Sequence, residues 1–487
     1  MKKLKTLLIL TLCILFMPFP KAEATDFSYD VYILDTANYA SILGISEKTL
    51  NQVIDDIYSA IADYEDSCQL FFYNIRYSTT AYKCFNEIIL GNPEIFNINN
   101  ITCYYSFTGY ISHIEFHYLY TREDYEKKLE AVRKTAQELV SGITEEMPDE
   151  LKVLLIHDRL ATLCEYDYEN LLNDTIAFES YTLYGVLEKR LAVCQGYARA
   201  MDYLLRKVGV NSYACVSDDL NHMWNIVYID GEKYHVDTTW DDPVIDVMGR
   251  VLHRNFLLST DAFKNSYPNG HSANDYDSSP DSTLYDNAFW QSSDAQFCLV
   301  GDKVFYFDSK NSALCEYDFK TDVSTTLLTL KSKWPASANS YWAGNYTRLA
   351  TNGKLIYYSL PDGIYSYNPT TGVNKPVFRP DMSGHDFFAI YGFTLKENQL
   401  ICEAYSSPNV TLTTVGEIYT YTISSRITGD VTGNGKIEVD DALHTLRAAV
   451  NLVSLSAEDF DVADIDGDGL ITVSDSLSIL SMAISRK

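Results

Sequence analysis

The dipeptide Asp230-Gly231 stands between two runs that read as strands, His222 to Ile229 and Glu232 to Thr239. It is a strong signal for a two-residue β-hairpin, because both turn positions need positive φ, and such a turn sets the register of both strands. With Ile229 opposite Glu232, His222 falls opposite Thr239, and Asp237 lies diagonally across on the same face. Diagonal neighbours are roughly 7–8 Å apart along the backbone, within reach of an imidazole and a carboxylate. His235 shares the face and is the competing histidine. As an i, i+2 neighbour it stands beside Asp237 rather than being aimed by it, so His222 is preferred.

Upstream, Cys194 opens a stretch in which Tyr197, Met201, Leu204, Leu205 and Val208 recur at helical spacing and Gly209 ends the run. The sulfur therefore sits at a helix N-terminus, where the dipole favours an anion and free N–H groups can receive an oxyanion. A buried cysteine in a first helical turn is also common without any reactivity, so the partners decide. Asp237 can hold His222 in one tautomer while its other nitrogen takes the proton of Cys194.

Cys194-Gln-Gly-Tyr-Ala, His222-Met-Trp-Asn and Tyr234-His-Val-Asp237-Thr-Thr-Trp-Asp-Asp-Pro243, with Tyr166-Asp-Tyr168 and Tyr181 to Leu187 upstream, together resemble the bacterial transglutaminase-like superfamily, a relative of papain-type folds. The resemblance implies Cys194 as nucleophile, His222 as general base and acid, and Asp237 as orienting carboxylate. It further implies acyl transfer through a thioester, to water in peptidases or to an amine in cross-linking enzymes, with a protein or peptide substrate. For the second oxyanion donor, Gln195 and Tyr181 are the candidates.

Near the chain end, Asp430-Val-Thr432-Gly-Asn434-Gly435-Lys436 leads to Asp441, and Asp464-Ile-Asp466-Gly-Asp468-Gly469-Leu470 leads to Asp475. Each loop places oxygen ligands at positions 1, 3, 5 and 12, a glycine at 6 and a main-chain carbonyl at 7, here those of Lys436 and Leu470, a pattern that suits calcium. Two calcium ions are expected. Neither loop is expected to have the preceding helix of a full EF-hand, and helices are expected over 442–450 and 476–484. This resembles a type I dockerin, the module that binds a cohesin domain on a bacterial scaffold. The resemblance implies that Val439 with Asp440, and Val473 with Ser474, help choose the cohesin.

A leader is expected over 1–24, with Lys2, Lys3 and Lys5 before the apolar run Leu7 to Phe16 and a small-x-small cleavage pattern at Ala22-Glu23-Ala24. Bulky Leu12 before Cys13 argues against a lipid anchor. Export to the outside, with attachment to a cell-surface scaffold, follows as an expectation. The formal charge of −28 repels phosphate backbones, which excludes nucleic acid as a partner, and no later apolar run is long enough to span a membrane. Of ten cysteines one lies in the leader, so an odd number remains and at least one thiol should be free.

The expected fold class is therefore multidomain. An N-terminal α+β region (25–145) precedes an α+β, papain-like catalytic domain (146–265). A polar, turn-rich linker (266–289) leads to an all-β module (290–426) and a small α-helical calcium-binding dockerin (427–487). The β module repeats weakly, Gly301 to Tyr306 matching Asn352 to Tyr357, with a third copy from Asn398. Tyr341, Trp342, Tyr346 and Tyr358 would form a binding platform if exposed. The function expected is a secreted cysteine peptidase or amidase docked on a scaffold. An inactive scaffold-docked binding protein and a cross-linking transglutaminase are the alternatives.

Overall fold

The computed structural model describes residues 36–485 apart from 267–270, 412, 424–425, 427 and 467–468. The expected leader with its Cys13 and the expected calcium ligand Asp468 lie outside the described residues. The chain divides into two compact units, one up to Lys127 and the other from Lys128. The first thus closes earlier than the expected boundary at 145.

In the first unit, α1 (Thr36–Leu43), α2 (Glu47–Ala62) and α3 (Thr79–Leu90) cover an antiparallel sheet ordered β1 (Ser67–Gln69), β3 (Ile111–Tyr118), β2 (Ile98–Tyr105). Ser46 caps α2 by accepting from the Thr49 N–H, and Leu50, Val53, Ile54, Ile57 and Ile61 all turn into the core, as their spacing requires. Helix α4 (Arg122–Leu139) contains the boundary between the units.

The second unit begins its core with α5 (Asp149–Ala161), for which Pro148 is the N-cap residue. A parallel pair, β4 (Glu165–Tyr166) with β5 (Leu191–Ala192), is interrupted by α6 (Tyr168–Asn173) and leads directly into α7 (Cys194–Lys207). Helix α7 packs on an antiparallel sheet ordered β6 (Ser212–Ser217), β7 (His222–Ile229), β8 (Glu232–Val236), β9 (Phe256–Leu258). The hairpin has the expected register, Ile229 opposite Glu232, and Asp230 and Gly231 both have positive φ. The return strand is shorter than expected. It leaves the ladder at Val236, and Asp237 instead caps a short helix, α8 (Thr238–Asp241), by accepting from the Trp240 N–H, so Thr239 never pairs with His222.

Segment 266–289 is the largest departure from expectation. After α9 (Thr260–Lys264) the chain does not leave as a linker; its described part forms a strap fastened to the sheet. Asp275 accepts from the Ser217 hydroxyl and the Asp219 N–H, Asp277 from the Tyr213 hydroxyl, and Asp286 from the Ser259 N–H and hydroxyl. Polar turn residues read as solvated in a sequence, yet the same side chains satisfy sheet-edge and loop donors once the strap closes over them.

Next to Phe256 of β9, His157 and His253 both hydrogen-bond the fully buried Asp158, whose other oxygen accepts from the Phe297 N–H at 2.6 Å. The all-β region follows. Two four-stranded antiparallel sheets, β10 (Cys298–Val300) to β13 (Val323–Thr329) and β16 (Leu349–Thr351) to β19 (Asn374–Phe378), match the two expected copies. A third sheet, β20 (Ala389–Lys396) to β22 (Glu417–Thr422), has three strands, and a small hairpin of β14 (Pro335–Ser337) and β15 (Ser340–Tyr341) lies between the first two in sequence. Phe305, Phe307, Ile356 and Tyr358 form one inter-sheet core, and Tyr357, Ile390, Phe393 and Leu400 the next. No aromatic platform results: Tyr341 is exposed, Trp342 and Tyr346 are half-buried beside Trp334, and Tyr358 is buried with its hydroxyl on Asn374.

Helices α10 (Val439–Ala449), α11 (Ala457–Ala463) and α12 (Val473–Ser485) complete the chain. The sequence pattern missed α11, so the second acidic loop does have a helix before it. Its Ser456–Asp459 capping box is present in the sequence, but its seven residues are too short for a clear apolar period. No helix among the described residues is long and apolar enough to cross a membrane.

Candidate active site

Residues Cys194, His222 and Asp237 come together, although they belong to a helix start, a strand start and a helix cap. Helix α7 is placed by small contacts. A Cβ at Gly196 would stand 2.7 Å from the Ser180 carbonyl oxygen and 3.0 Å from the Ala192 Cβ, so only glycine allows the first turn so close to β5. Replacing it with alanine should therefore displace Cys194 and cost about 1–3 kcal/mol of stability, read by denaturant unfolding. From the sheet side, buried Asn225 of β7 donates to the Ala198 carbonyl at 2.9 Å. The Tyr197 hydroxyl lies against both the Cys164 carbonyl oxygen and Asp242, whose carboxyl burial pushes well above its usual range.

His222 Nε2 is 2.6 Å from Asp237 Oδ2, and His222 shares the wall of one hollow with Cys194, so Nδ1 is the nitrogen left for the sulfur. Burial alone would lower the basicity of His222. The charge and hydrogen bond of Asp237, with a smaller contribution from Cys194, reverse this and raise it to about 10. Burial likewise opposes the Asp237 charge, but His222 and then His271 hold that carboxyl below the usual carboxylate range. An imidazole that a buried carboxylate keeps protonated, beside a cysteine at a helix N-terminus, is an arrangement able to hand a proton to a leaving group.

A fourth side chain, His271, is not among the residues expected at the site, and its Nε2 also reaches Asp237 Oδ2, at 2.8 Å. It lies in the segment read as linker, and no spacing rule links it to the hairpin. His235 takes another path: its Nδ1 accepts from Trp224 Nε1, its Nε2 meets the Thr260 hydroxyl, and burial followed by His271 lowers its basicity to about 3. It is a neutral core residue.

A hollow of about 210 Å³ opens over the sulfur, with Cys194, Gln195, His222, Tyr166 and Tyr181 in its wall. Both residues considered as oxyanion donors thus line the same hollow as Cys194. Across Tyr166 lies a second hollow of about 350 Å³, lined in part by Glu165, Glu169, Val244 and Asp246.

In the second C-terminal loop, the carboxylates of Asp464, Asp466 and Asp475 lie within 4.8 Å of one another, and Asp464 Oδ1 is buried with no hydrogen-bond partner among the described residues. Gly435 and Gly469 take φ of +82° and +80° at the sharp turn. In the first loop, buried Asp430 accepts from the Asn434 and Gly435 N–H groups, and Asp441 from those of Thr432 and Glu438. A hard divalent cation such as calcium fits this donor set. Lys375 of β19 lies 3.2 Å from Asp464 Oδ2.

Residues 133–238 match the family described as the transglutaminase-like superfamily, and this part of the chain is a transglutaminase-like domain. Members of that superfamily are usually cysteine-dependent acyltransferases or peptidases. The match includes Cys194, His222 and Asp237 but stops short of His271. No curated protein matches the chain. Among solved structures it is similar to a crystal structure of a TGase, at 14% identity over 34% of this chain and 49% of that one, with a TM-score of 0.22. It is also similar to the extracellular domain of a putative hybrid two-component system from B. thetaiotaomicron, at 14% identity over 43% of this chain and 22% of that one, with a TM-score of 0.20. The chain spans about half the length of the first and about a fifth of the second, and at these scores neither supports an argument.

Proposed function

We propose that the chain is a cysteine-dependent acyl-transfer enzyme, a peptidase or amidase, exported and attached to a cohesin-bearing scaffold by a calcium-binding type I dockerin. The observation that carries the enzymatic reading is His222 between Cys194 and Asp237, with Cys194 at the N-terminus of α7. In this mechanism Cys194 Sγ attacks a carbonyl carbon while the first-turn N–H groups of α7, with Gln195 or Tyr181, receive the oxyanion. His222 gives its proton to the leaving amine, and the thioester is then released to water, with His222 taking the water's proton. The hollows on either side of Tyr166 give a peptide chain room beyond the scissile bond. The test is mass spectrometry after treatment with a thiol-directed electrophile. Selective labelling of Cys194 that falls in His222→Ala supports the reading, and equal labelling of the two proteins removes it.

The docking reading rests on the second, duplicated feature. Val439 and Leu443 on α10 with Val450 at its C-cap, and Val473, Leu477 and Ile484 at the corresponding positions of α12, are all exposed large apolar residues. An apolar face repeated in both halves suits a partner protein better than solvent. The selecting pairs differ, Val439-Asp440 against Val473-Ser474, so the two halves would not bind identically. Calcium, held by Asp430, Thr432, Asn434, Asp441 and the Lys436 carbonyl, and by Asp464, Asp466, Asp475, the Leu470 carbonyl and Asp468, would tie each loop to the helix that follows it. Chelation is then expected to melt only the last 60 or so residues, seen as a loss of helical signal with the main thermal transition unmoved. Collapse of the whole chain would contradict that independence.

A further inference from the structure

We propose that His271 is a positioning residue of the catalytic centre, holding Asp237 for His222, and that the strap carrying it is part of the catalytic unit rather than a connection between modules. The inference rests on the triad reading above.

Asp237 must do two things to serve His222: remain ionised although it is fully buried, and keep Oδ2 aimed at Nε2. Among the described residues its Oδ1 has only the Trp240 N–H, at 3.2 Å. Its Oδ2 is shared by His222 Nε2 at 2.6 Å and His271 Nε2 at 2.8 Å. Each donated hydrogen bond favours the ionised carboxylate, and three donors from three segments leave its side chain one orientation. An aiming carboxylate matters because small misplacements at a reacting centre are costly in rate.

His271 is itself held on every side. Its ring stacks on Phe263 with centroids 3.6 Å apart and 15° between planes, and the rings of Trp240 and Trp224 stand at 4.9 and 5.4 Å. The Tyr276 hydroxyl donates to its main-chain carbonyl at 2.7 Å, and Nδ1 is 3.4 Å from the Ser266 hydroxyl. A leucine could fill the same apolar space without the N–H. That difference separates a positioning role from simple packing.

The experiment is the rate of iodoacetamide alkylation of Cys194 in the full chain near neutral pH, with the downfield proton resonance of the His222–Asp237 hydrogen bond as a second readout. Wild type is compared with His271→Ala, His271→Leu, His271→Gln and the double variant His271→Leu with Asp237→Asn. The alanine and leucine variants should react roughly 10- to 100-fold more slowly, with the resonance lost or shifted upfield. Glutamine, which retains an N–H donor, should recover much of the rate. If His271 acts through Asp237, the double variant should be no slower than Asp237→Asn alone. Should alanine fail to fold, leucine decides the matter. A folded His271→Leu protein with wild-type rate and an unmoved resonance overturns the proposal, as does full additivity with Asp237→Asn. Labelling of wild-type Cys194 that does not depend on His222 would remove the triad reading instead, and that is seen before any His271 variant is made.

Discussion

Alanine at Cys194 is expected to abolish turnover of any amide or peptide substrate, by about 10⁴- to 10⁶-fold, while leaving the melting temperature nearly unchanged. The sulfur is the atom that forms the covalent intermediate, and nothing else in the wall of the 210 Å³ hollow is a comparable nucleophile at neutral pH. The cost to the fold is small because Cys194 is only half-buried and its thiol is free. All nine cysteines from Cys68 to Cys402 are free thiols, so a general thiol reagent does not identify the nucleophile by itself. Seven of them are buried, and burial pushes the thiols of Cys68, Cys84, Cys215 and Cys402 up to about 11 or 12. Selective, fast alkylation of Cys194 over these is the expected signature. Unchanged turnover in Cys194→Ala would transfer the activity to another site.

Asp237→Asn should be nearly as damaging, roughly 10⁴-fold in turnover, with a change in pH behaviour that Cys194→Ala cannot produce. In the wild-type protein the folded-state basicity of His222, about 10, exceeds the ordinary value near 6.5. Its stabilising contribution is therefore complete below about pH 6.5 and is lost as pH rises through about 10. Asp237 is shifted the other way, so its contribution is present above the ordinary carboxylate range and lost as pH falls below it. Asparagine removes the charge that offsets the burial of His222, and the imidazole then loses its proton near or below neutrality. The checks are the pH dependence of Cys194 alkylation and of the unfolding midpoint. Loss of the alkaline decline in stability between about pH 6.5 and 10 is expected in the variant. An unaltered profile would show that the carboxylate does not control His222.

Local rules read from the chain were enough for much of this protein. The Asp230-Gly231 turn determined the hairpin register, because two positive-φ residues admit few alternatives, and that register brought Asp237, just past the end of the ladder, toward the His222 end of β7. The apolar period from Tyr197 to Val208 placed Cys194 at the first turn of α7, and the spacing of Asp, Asn and Gly in two loops determined the ligand positions expected of the C-terminal module. Each is a short-range constraint, in which backbone conformation and residue type within a dozen positions decide the outcome. What only the tertiary structure decided depends on contacts between distant segments. The strand ends at Val236 because Asp237 is taken up as the cap of α8. Tyr358 is buried because a neighbouring sheet covers it. His271 reaches Asp237 from 34 residues away because the strap's carboxylates find donors on the sheet and the loops beside it, a pairing of polar groups that has no period and leaves no trace in the sequence until the fold brings its partners within hydrogen-bond distance.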